Sequence, residues 1–129
     1  GRKILVETVH SMEASFVVTE LPYNSEQYAR TGEYLIRELY GRVAGIRMNG
    51  SAAIALCYVA AGRFDAWLEA FLGKWDFSAA ALIVQEAGGR VTDFYGNAGF
   101  IDGHHVVATN GWLHPFLLEL VQKAMPLGM

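Results

Sequence analysis

Two carboxylates, Glu69 and Asp76, stand close together in the stretch EAFLGKWD. Asp76 precedes a long apolar run that ends in Gly88-Gly89, a pattern that predicts a helix. An aspartate before a helix accepts the first free backbone N–H groups and is a favoured cap. A carboxylate can also be one ligand of a metal site. A lone aspartate is more often a cap, so the spacing alone leaves both roles open.

A second candidate is the helix start Gly50-Ser51-Ala52. Small residues with free N–H groups suit phosphate or hydroxyl oxygens. If Glu69 ends a strand, it can lie at the carboxyl edge of a sheet, where α/β proteins bind ligands. An ordinary helix cap explains Gly50-Ser51 equally well, and spacing alone favours that interpretation.

Composition limits the classes of function. The chain has 129 residues, 53% of them apolar, and a formal net charge of −3, which fits one domain of residues 1–129 with a real core. The sequence has no stripe of basic residues that would indicate binding to nucleic acid, and it has no apolar run long enough to span a membrane. A single cysteine excludes an intrachain disulfide and favours the cytoplasm. The strand-like start, without Met or a signal-peptide pattern, predicts the middle of a longer chain.

Strand and helix patterns alternate along the chain, which predicts the α/β class with a sheet layered by helices. The predicted strands are Lys3–Val9, Ala14–Glu20, Val43–Met48, Phe64–Ala70, Val91–Phe94 and His105–Thr109. The predicted helices are Glu26–Tyr40, Ala52–Ala61, Phe77–Ala87 and Leu113–Ala124. Gly41, Gly62 and Gly88-Gly89 end the first three helices, and Pro115 is compatible with the first turn of the fourth.

Several other polar or reactive residues are assigned to the fold. The helix AAIALCYVAA is apolar nearly all round, which predicts that Cys57 is part of the core. His104 and His105 are adjacent in a strand pattern and would point to opposite faces, so joint metal binding is not expected. Trp67 and Trp75 are interpreted as packing residues. Asp93 and Asp102 are interpreted as turn and loop acids.

One stretch resembles a known signature. Trp75-Asp76, then Ala79-Ala80, Leu82-Ile83-Val84 and Glu86-Ala87-Gly88-Gly89, resembles the C-terminal signature of the inositol monophosphatase family. Residues 50–66 and 107–111 are similar to further blocks of that family, and Glu69 lies seven residues before Asp76, as in its inositol phosphatases. Ser78 and Ala80 depart from the usual Ala and Gly. The resemblance covers essentially the whole chain.

The family's Asp-Pro-x-Asp-Gly-Thr motif and its upstream Glu do not occur in this sequence. In the family those residues hold most of the Mg²⁺ ions and activate water. The resemblance therefore implies a layered sheet-and-helix sandwich, the C-terminal domain of the inositol monophosphatase-type sugar phosphatase fold. The N-terminal metal-binding half would be absent, and no catalytic residue is assigned to this chain.

Residue by residue, the resemblance implies that Asp76 is a metal ligand. It implies that Glu69 and the backbone of Gly50, Ser51 and Ala52 bind substrate hydroxyls. The implied function is part of a Mg²⁺-dependent phosphatase acting on a small polyol phosphate such as inositol 1-phosphate, with the chain inactive alone. The partners expected are that phosphate ester, the absent half and a second copy of the chain, with neither nucleic acid nor membrane.

Two alternatives stay open at this point. A family phosphatase can instead act on a nucleotide bisphosphate or fructose bisphosphate. The absence of the metal-binding motif also fits a non-catalytic binding or assembly module derived from the same fold.

Overall fold

A computed structural model describes residues 11–19, 26–48, 57–69, 78–97 and 105–124 of the chain. The strands are β1 (Phe16–Thr19), β2 (Gly45–Arg47), β3 (Ala66–Glu69), β4 (Arg90–Thr92) and β5 (Val106–Thr109). The helices are α1 (Glu26–Leu39), α2 (Ser78–Glu86) and α3 (His114–Ala124), and residues 57–60 are also helical. A 3₁₀ turn at Met12–Ala14 precedes β1. The mixture of strands and helices confirms the predicted α/β class.

The five strands form one mixed sheet in the order β2-β1-β3-β5-β4. β1 is parallel to β2 and β3, whereas β5 is antiparallel to β3 and β4. The register pairs Glu69 with Val106 at one end of β3 and Ala66 with Thr109 at the other. We call these the Glu69 end and the Thr109 end of the sheet. β1, β2 and β3 all terminate at the Glu69 end, because they are parallel.

Helices cover both faces of the sheet. One core joins α1 and α3 to alternate strand residues such as Val17, Leu68 and Val107. The other core joins α2 and the helical residues 57–60 to the opposite set, which includes Val18, Trp67 and Val106. All four residues of β5 are buried, as expected for a strand covered on both faces. The layering follows from strand alternation, since successive side chains point to opposite faces.

The glycine stops are confirmed. At the end of α2, Gly88 has φ 94°. The Gly89 N–H donates to the Val84 carbonyl at 2.9 Å, and the Gly88 N–H donates to the Gln85 carbonyl at 3.1 Å. This pair of bonds is the Schellman arrangement, which needs a left-handed residue that glycine adopts without steric cost. The helix that includes residues 57–60 ends in the same way at Gly62, with φ 77°.

Two sequence expectations are wrong in detail. Ala14 is not in a strand: it closes the 3₁₀ turn, where the Ser15 hydroxyl donates to the Met12 carbonyl at 2.7 Å. Cys57 is exposed, whereas Val59 and Ala60 beside it are buried. The sequence misled because an all-apolar helix shows no polar face from which to infer its orientation. The strand predicted at Lys3–Val9 lies outside the described residues.

Candidate functional site

Of the predicted site residues, Glu69 is the one that lies within the described part of the chain. Glu69 is the last residue of β3, and its backbone pairs with Val106. Asp76, Gly50, Ser51 and Ala52 lie outside the described residues. In the sequence, Gly50 follows three residues after the end of β2, and Asp76 precedes α2 by two residues. The position of Glu69 at a strand end confirms that part of the expectation.

The Thr109 end carries a polar cluster around His114, the first residue of α3. The imidazole is fully buried, with Nε2 2.8 Å from Thr92 Oγ1 on β4 and Nδ1 2.9 Å from Thr109 Oγ1 on β5. Thr92 Oγ1 also donates to the Asp93 carbonyl at 2.8 Å, and the Gly111 N–H donates to Thr109 Oγ1 at 2.9 Å. One ring thereby ties a helix start to two strands.

These contacts fix the proton on the ring. The Thr92 hydroxyl donates its proton to the Asp93 carbonyl. Its oxygen can then only accept a hydrogen bond from His114, so Nε2 must carry the hydrogen. Nδ1 is then an acceptor for the Thr109 hydroxyl. We infer the neutral Nε2–H tautomer from this network of heavy-atom distances. Every polar atom of the ring is satisfied only in that form.

The electrostatics agree with a neutral ring. Burial, and secondarily the nearby Arg90 guanidinium, lower the pKa of His114 from 6.5 to about 4. Burial acts first because the charged imidazolium loses more hydration than the neutral ring. The position at a helix N-terminus also disfavours a positive charge, since the backbone N–H groups there carry partial positive charge.

Other buried polar groups are engaged in holding the fold. The Phe16 N–H donates to Asp65 Oδ2 at 2.7 Å, and the Asn110 N–H donates to the Asp65 carbonyl at 3.0 Å. Asp93 Oδ1 accepts the N–H groups of Tyr95 and Asn97 at 2.8 and 2.9 Å, which confirms Asp93 as a turn acid. These carboxylates are therefore already occupied by backbone donors.

The Asn110 side chain caps the N-terminal end of α3. Its side-chain Oδ1 accepts the N–H groups of Trp112 and Leu113 at 3.0 and 3.2 Å. Pro115 is the second residue of the helix, as its lack of an N–H donor permits. Together these residues place the His114 ring between Thr92 and Thr109.

Within the described residues, no group of three or more His, Cys, Asp or Glu side chains could hold a metal ion. His105 precedes β5, where its ring stacks on Phe94 with centroids 4.7 Å apart and its Nδ1 accepts the Phe94 N–H at 2.9 Å. His104 lies outside the described residues, so the expectation about joint ligation stays a prediction. None of the helices in the described part of the chain is long and apolar enough to cross a membrane.

Sequence reasoning missed the His114 cluster. Its partners are 22 and 5 residues away in the chain, and no periodicity connects them. The available signal was local: a histidine in the first turn of a predicted helix, beside Pro115, on a face that the apolar pattern buries. That signal marks a buried histidine without indicating its partners.

Comparison with known proteins defines the class. A family model described as the inositol monophosphatase family matches residues 1–125. The chain belongs to the inositol monophosphatase family.

Relatives within the family carry two kinds of name. The chain is 42% identical over 128 residues to a Nus factor SuhB of Pseudomonas aeruginosa, covering 98% of this chain and 47% of the relative. It is 42% identical over 97 residues to an inositol-1-monophosphatase of Rhizobium meliloti, covering 74% of this chain and 36% of that protein. The chain spans about half the length of the curated relative from Pseudomonas aeruginosa.

Solved structures agree on the fold. The suppressor protein SuhB of Bartonella henselae matches with a TM-score of 0.88 and 34% identity, over 95% of this chain and 47% of that one. An IMPase of Thermotoga maritima matches with a TM-score of 0.88 and 31% identity, over 100% of this chain and 48% of that one. The sheet-and-helix architecture expected from the sequence is thus the fold of this part of the family.

Proposed function

We propose that this chain is the substrate-binding and metal-contributing part of a Mg²⁺-dependent phosphomonoesterase that hydrolyses a small polyol phosphate such as inositol 1-phosphate. In this proposal residues 1–129 act as one domain beside an N-terminal half that holds the other metal ligands. The intact protein works in the cytoplasm, and pairing with a second copy is part of the same proposal.

One observation carries the proposal: the family model matches residues 1–125 and so includes every candidate position. These positions are Gly50, Ser51, Ala52, Glu69 and Asp76. The position of Glu69 at the end of a parallel strand supports a role in binding, because ligands of α/β proteins gather at that end.

The donor set of this chain fits Mg²⁺ only as a contribution to a shared site. Mg²⁺ takes an octahedral set of oxygen ligands, more than the Asp76 carboxylate alone can supply. When bound, the ion neutralises charge developing on the phosphate and activates water. Asp76, two residues before α2 in the sequence, would hold the ion, while Glu69 and the N–H groups of residues 50–52 would orient the substrate hydroxyls.

The chain alone is accordingly proposed to be inactive, because the groups that activate water are outside it. Nucleotide bisphosphate and fructose bisphosphate remain alternative substrates, since the same phosphate chemistry serves all three. Glu69 favours the polyol phosphate, because a carboxylate accepts charge-assisted hydrogen bonds from adjacent hydroxyls.

The test is phosphate release by the purified full-length protein from inositol 1-phosphate, fructose bisphosphate and a nucleoside bisphosphate, with Mg²⁺ and with EDTA. We expect the highest kcat/KM on inositol 1-phosphate and complete loss of activity with EDTA. Absence of turnover on all three substrates would contradict a phosphatase role.

The 129-residue chain is the matched control in that assay. We expect it to give a dispersed amide NMR spectrum and no Mg²⁺-dependent turnover. A folded chain that hydrolyses inositol 1-phosphate at a rate typical of enzymes would contradict the assignment of the water-activating groups to the other half.

A second candidate function is a non-catalytic assembly role. The observation that favours it is that the relative named Nus factor SuhB is as similar, at 42% identity, as the relative named inositol-1-monophosphatase. Such a role would need the surface of the fold and not the metal site.

A complementation experiment separates the two functions. The gene is deleted in its source organism and replaced by the wild type or by Asp76→Asn. If the phosphatase activity is the required function, Asp76→Asn fails to restore growth although the protein is present at the wild-type level. Full restoration by an Asp76→Asn protein shown to lack turnover would favour the assembly role.

A further inference from the structure

The phosphatase proposal makes no use of the most highly organised polar cluster in the described part of the molecule. This cluster runs from the Gly111 N–H through Thr109 Oγ1, the His114 ring and Thr92 Oγ1 to the Asp93 carbonyl. We call it the His114 relay. It joins α3 to β4 and β5 at the Thr109 end of the sheet.

We propose that the His114 relay is an acid-sensitive clamp, which holds the start of α3 on the sheet while the ring is neutral and releases it on protonation. The direction of its hydrogen bonds carries this proposal. Protonation turns Nδ1 from an acceptor into a donor, so the Thr109 hydroxyl proton loses the acceptor it now has. It also places a full charge on a ring that water does not reach.

Among the described residues, the charged groups around the ring do not compensate that charge. Arg90 on β4 lowers the pKa of the ring, because it repels a positive imidazolium. Asp93 Oδ1 accepts a hydrogen bond from the backbone of its own turn, and Asp65 Oδ2 accepts one from the Phe16 N–H. β5 has no titratable side chain between Val106 and Thr109. On α3, Glu119 and Lys123 pair with each other in solvent.

The clamp acts on α3 because the rest of that helix is held mainly by packing. Leu117, Val121 and Ala124 bury one face of α3 in the core shared with α1. Beside the Asn110 cap, the His114 relay supplies a directional link between the first turn and the two strands. Opening at low pH is therefore expected to begin at the N-terminal turn of α3, before α1 separates from the sheet.

The experiment is an NMR and hydrogen-exchange series on the full-length protein between pH 7 and pH 4.5. Long-range ¹⁵N spectra of the imidazole are expected to show the Nε2–H tautomer at pH 7 and no protonation of His114 above pH 5. After correction for intrinsic exchange, amide protection in the first turns of α3 is expected to fall at least tenfold more than in α1.

Three variants keep the test specific. His114→Gln removes the titrating ring and should flatten the pH dependence of α3 protection. Thr109→Val keeps the ring but removes its donor to Nδ1, so it should raise the pKa of His114. His105→Gln is the matched control at a half-buried histidine outside the relay, and it should leave the pH dependence of α3 unchanged.

The outcomes separate a clamp from a structural histidine. Protonation of His114 near pH 6.5, or equal loss of protection in α1 and α3, would overturn the proposal. Unchanged pH dependence in His114→Gln would also overturn it. If His114→Gln does not fold, the pH dependence of α3 protection relative to α1, in the wild type and in Thr109→Val, still decides the question.

Discussion

The polar groups at the two ends of β5 differ in what they do: those at one end hold the fold together, and those beyond the other end are the candidate ligands. At the Thr109 end, the polar side chains of Thr92, Thr109 and His114 bond to one another or to backbone, and the Asp65 carboxylate also accepts a backbone N–H. At the other end, β5 begins opposite Glu69, and the sequence beyond the parallel strands supplies the candidate ligands. A buried or conspicuous acidic side chain is therefore not by itself evidence for a binding or catalytic site. An acid whose oxygens receive backbone donors already has a structural function.

The largest effect at the Thr109 end is expected from Asp65→Ala. The variant removes the buried Asp65 carboxylate and leaves the partly buried N–H of Phe16 without its acceptor, which costs about 3 kcal/mol of unfolding free energy. Urea denaturation of the full-length protein measures it.

Asp65→Asn is the matched variant, because it keeps the size of the side chain and one acceptor oxygen. It should lose clearly less stability than Asp65→Ala. An Asp65→Ala protein that is as stable as the wild type but has no activity would indicate that Asp65 has a functional role and not a structural one.

Acid should weaken the same end of the molecule. The pKa of His114 is about 4 in the folded protein and 6.5 when the ring is solvated in the unfolded chain, so between these values the unfolded chain binds the extra proton. Stability is then fully present above pH 6.5 and falls as the pH drops toward 4, by roughly 3 kcal/mol in total from this group.

Urea midpoints measured at intervals from pH 7 to pH 4.5 check this slope. His114→Gln should remove most of the difference between the wild-type values at pH 6.5 and pH 4.5. A wild-type stability that rises on acidification across this range would contradict the neutral buried ring.

Glu69→Gln probes the opposite end. The amide keeps a hydrogen-bond acceptor but would lose the proposed charge-assisted bond to substrate hydroxyls, which would be worth about 1 kcal/mol, or roughly fivefold in kcat/KM. The loss should appear for inositol 1-phosphate more than for fructose bisphosphate, with the Mg²⁺ dependence unchanged. Steady-state kinetics on both substrates measure the ratio, and an equal loss on both would remove Glu69 from substrate selection.

The smallest effect is expected at an exposed ion pair on α3. Lys123 Nζ lies 3.3 Å from Glu119 Oε1 with both side chains largely in solvent. Lys123→Met should change the unfolding free energy by less than about 0.5 kcal/mol. A larger loss in urea denaturation would show that the outer face of α3 has a role that the comparison overlooks.

Local rules predicted much of the fold. The alternation of strand and helix patterns gave the α/β class, and the stops at Gly62 and Gly88-Gly89 followed from the left-handed conformation that a helix end requires. Asp93 was interpreted as a turn acid, and in the structure it accepts N–H groups from residues just beyond it, as Asp often does in turns.

Long-range pairing was beyond those rules. The bond between Asp65 and Phe16 spans 49 residues, and the His114–Thr92 contact spans 22. Neither leaves a periodic trace in the sequence. The prediction that Cys57 is buried was wrong for a related reason, since the sequence of an all-apolar helix does not reveal which of its faces packs against the core.

The candidate site came from resemblance and not from spacing. Taken alone, Asp76 and Gly50-Ser51 fit ordinary helix caps as well as ligands. Only the match of the surrounding blocks to one family assigned them chemistry, and the family model over residues 1–125 confirms the family. Residue roles within it remain proposals.

The most direct test of the central claim is Asp76→Asn in the full-length protein, assayed on inositol 1-phosphate across a Mg²⁺ series. Asn is nearly as good a helix cap as Asp, so stability should change by only a fraction of a kcal/mol. If Asp76 binds the metal, the variant should need far more Mg²⁺ and turn over much more slowly. Wild-type activity of Asp76→Asn at limiting Mg²⁺ would contradict the account and leave Asp76 as a helix cap.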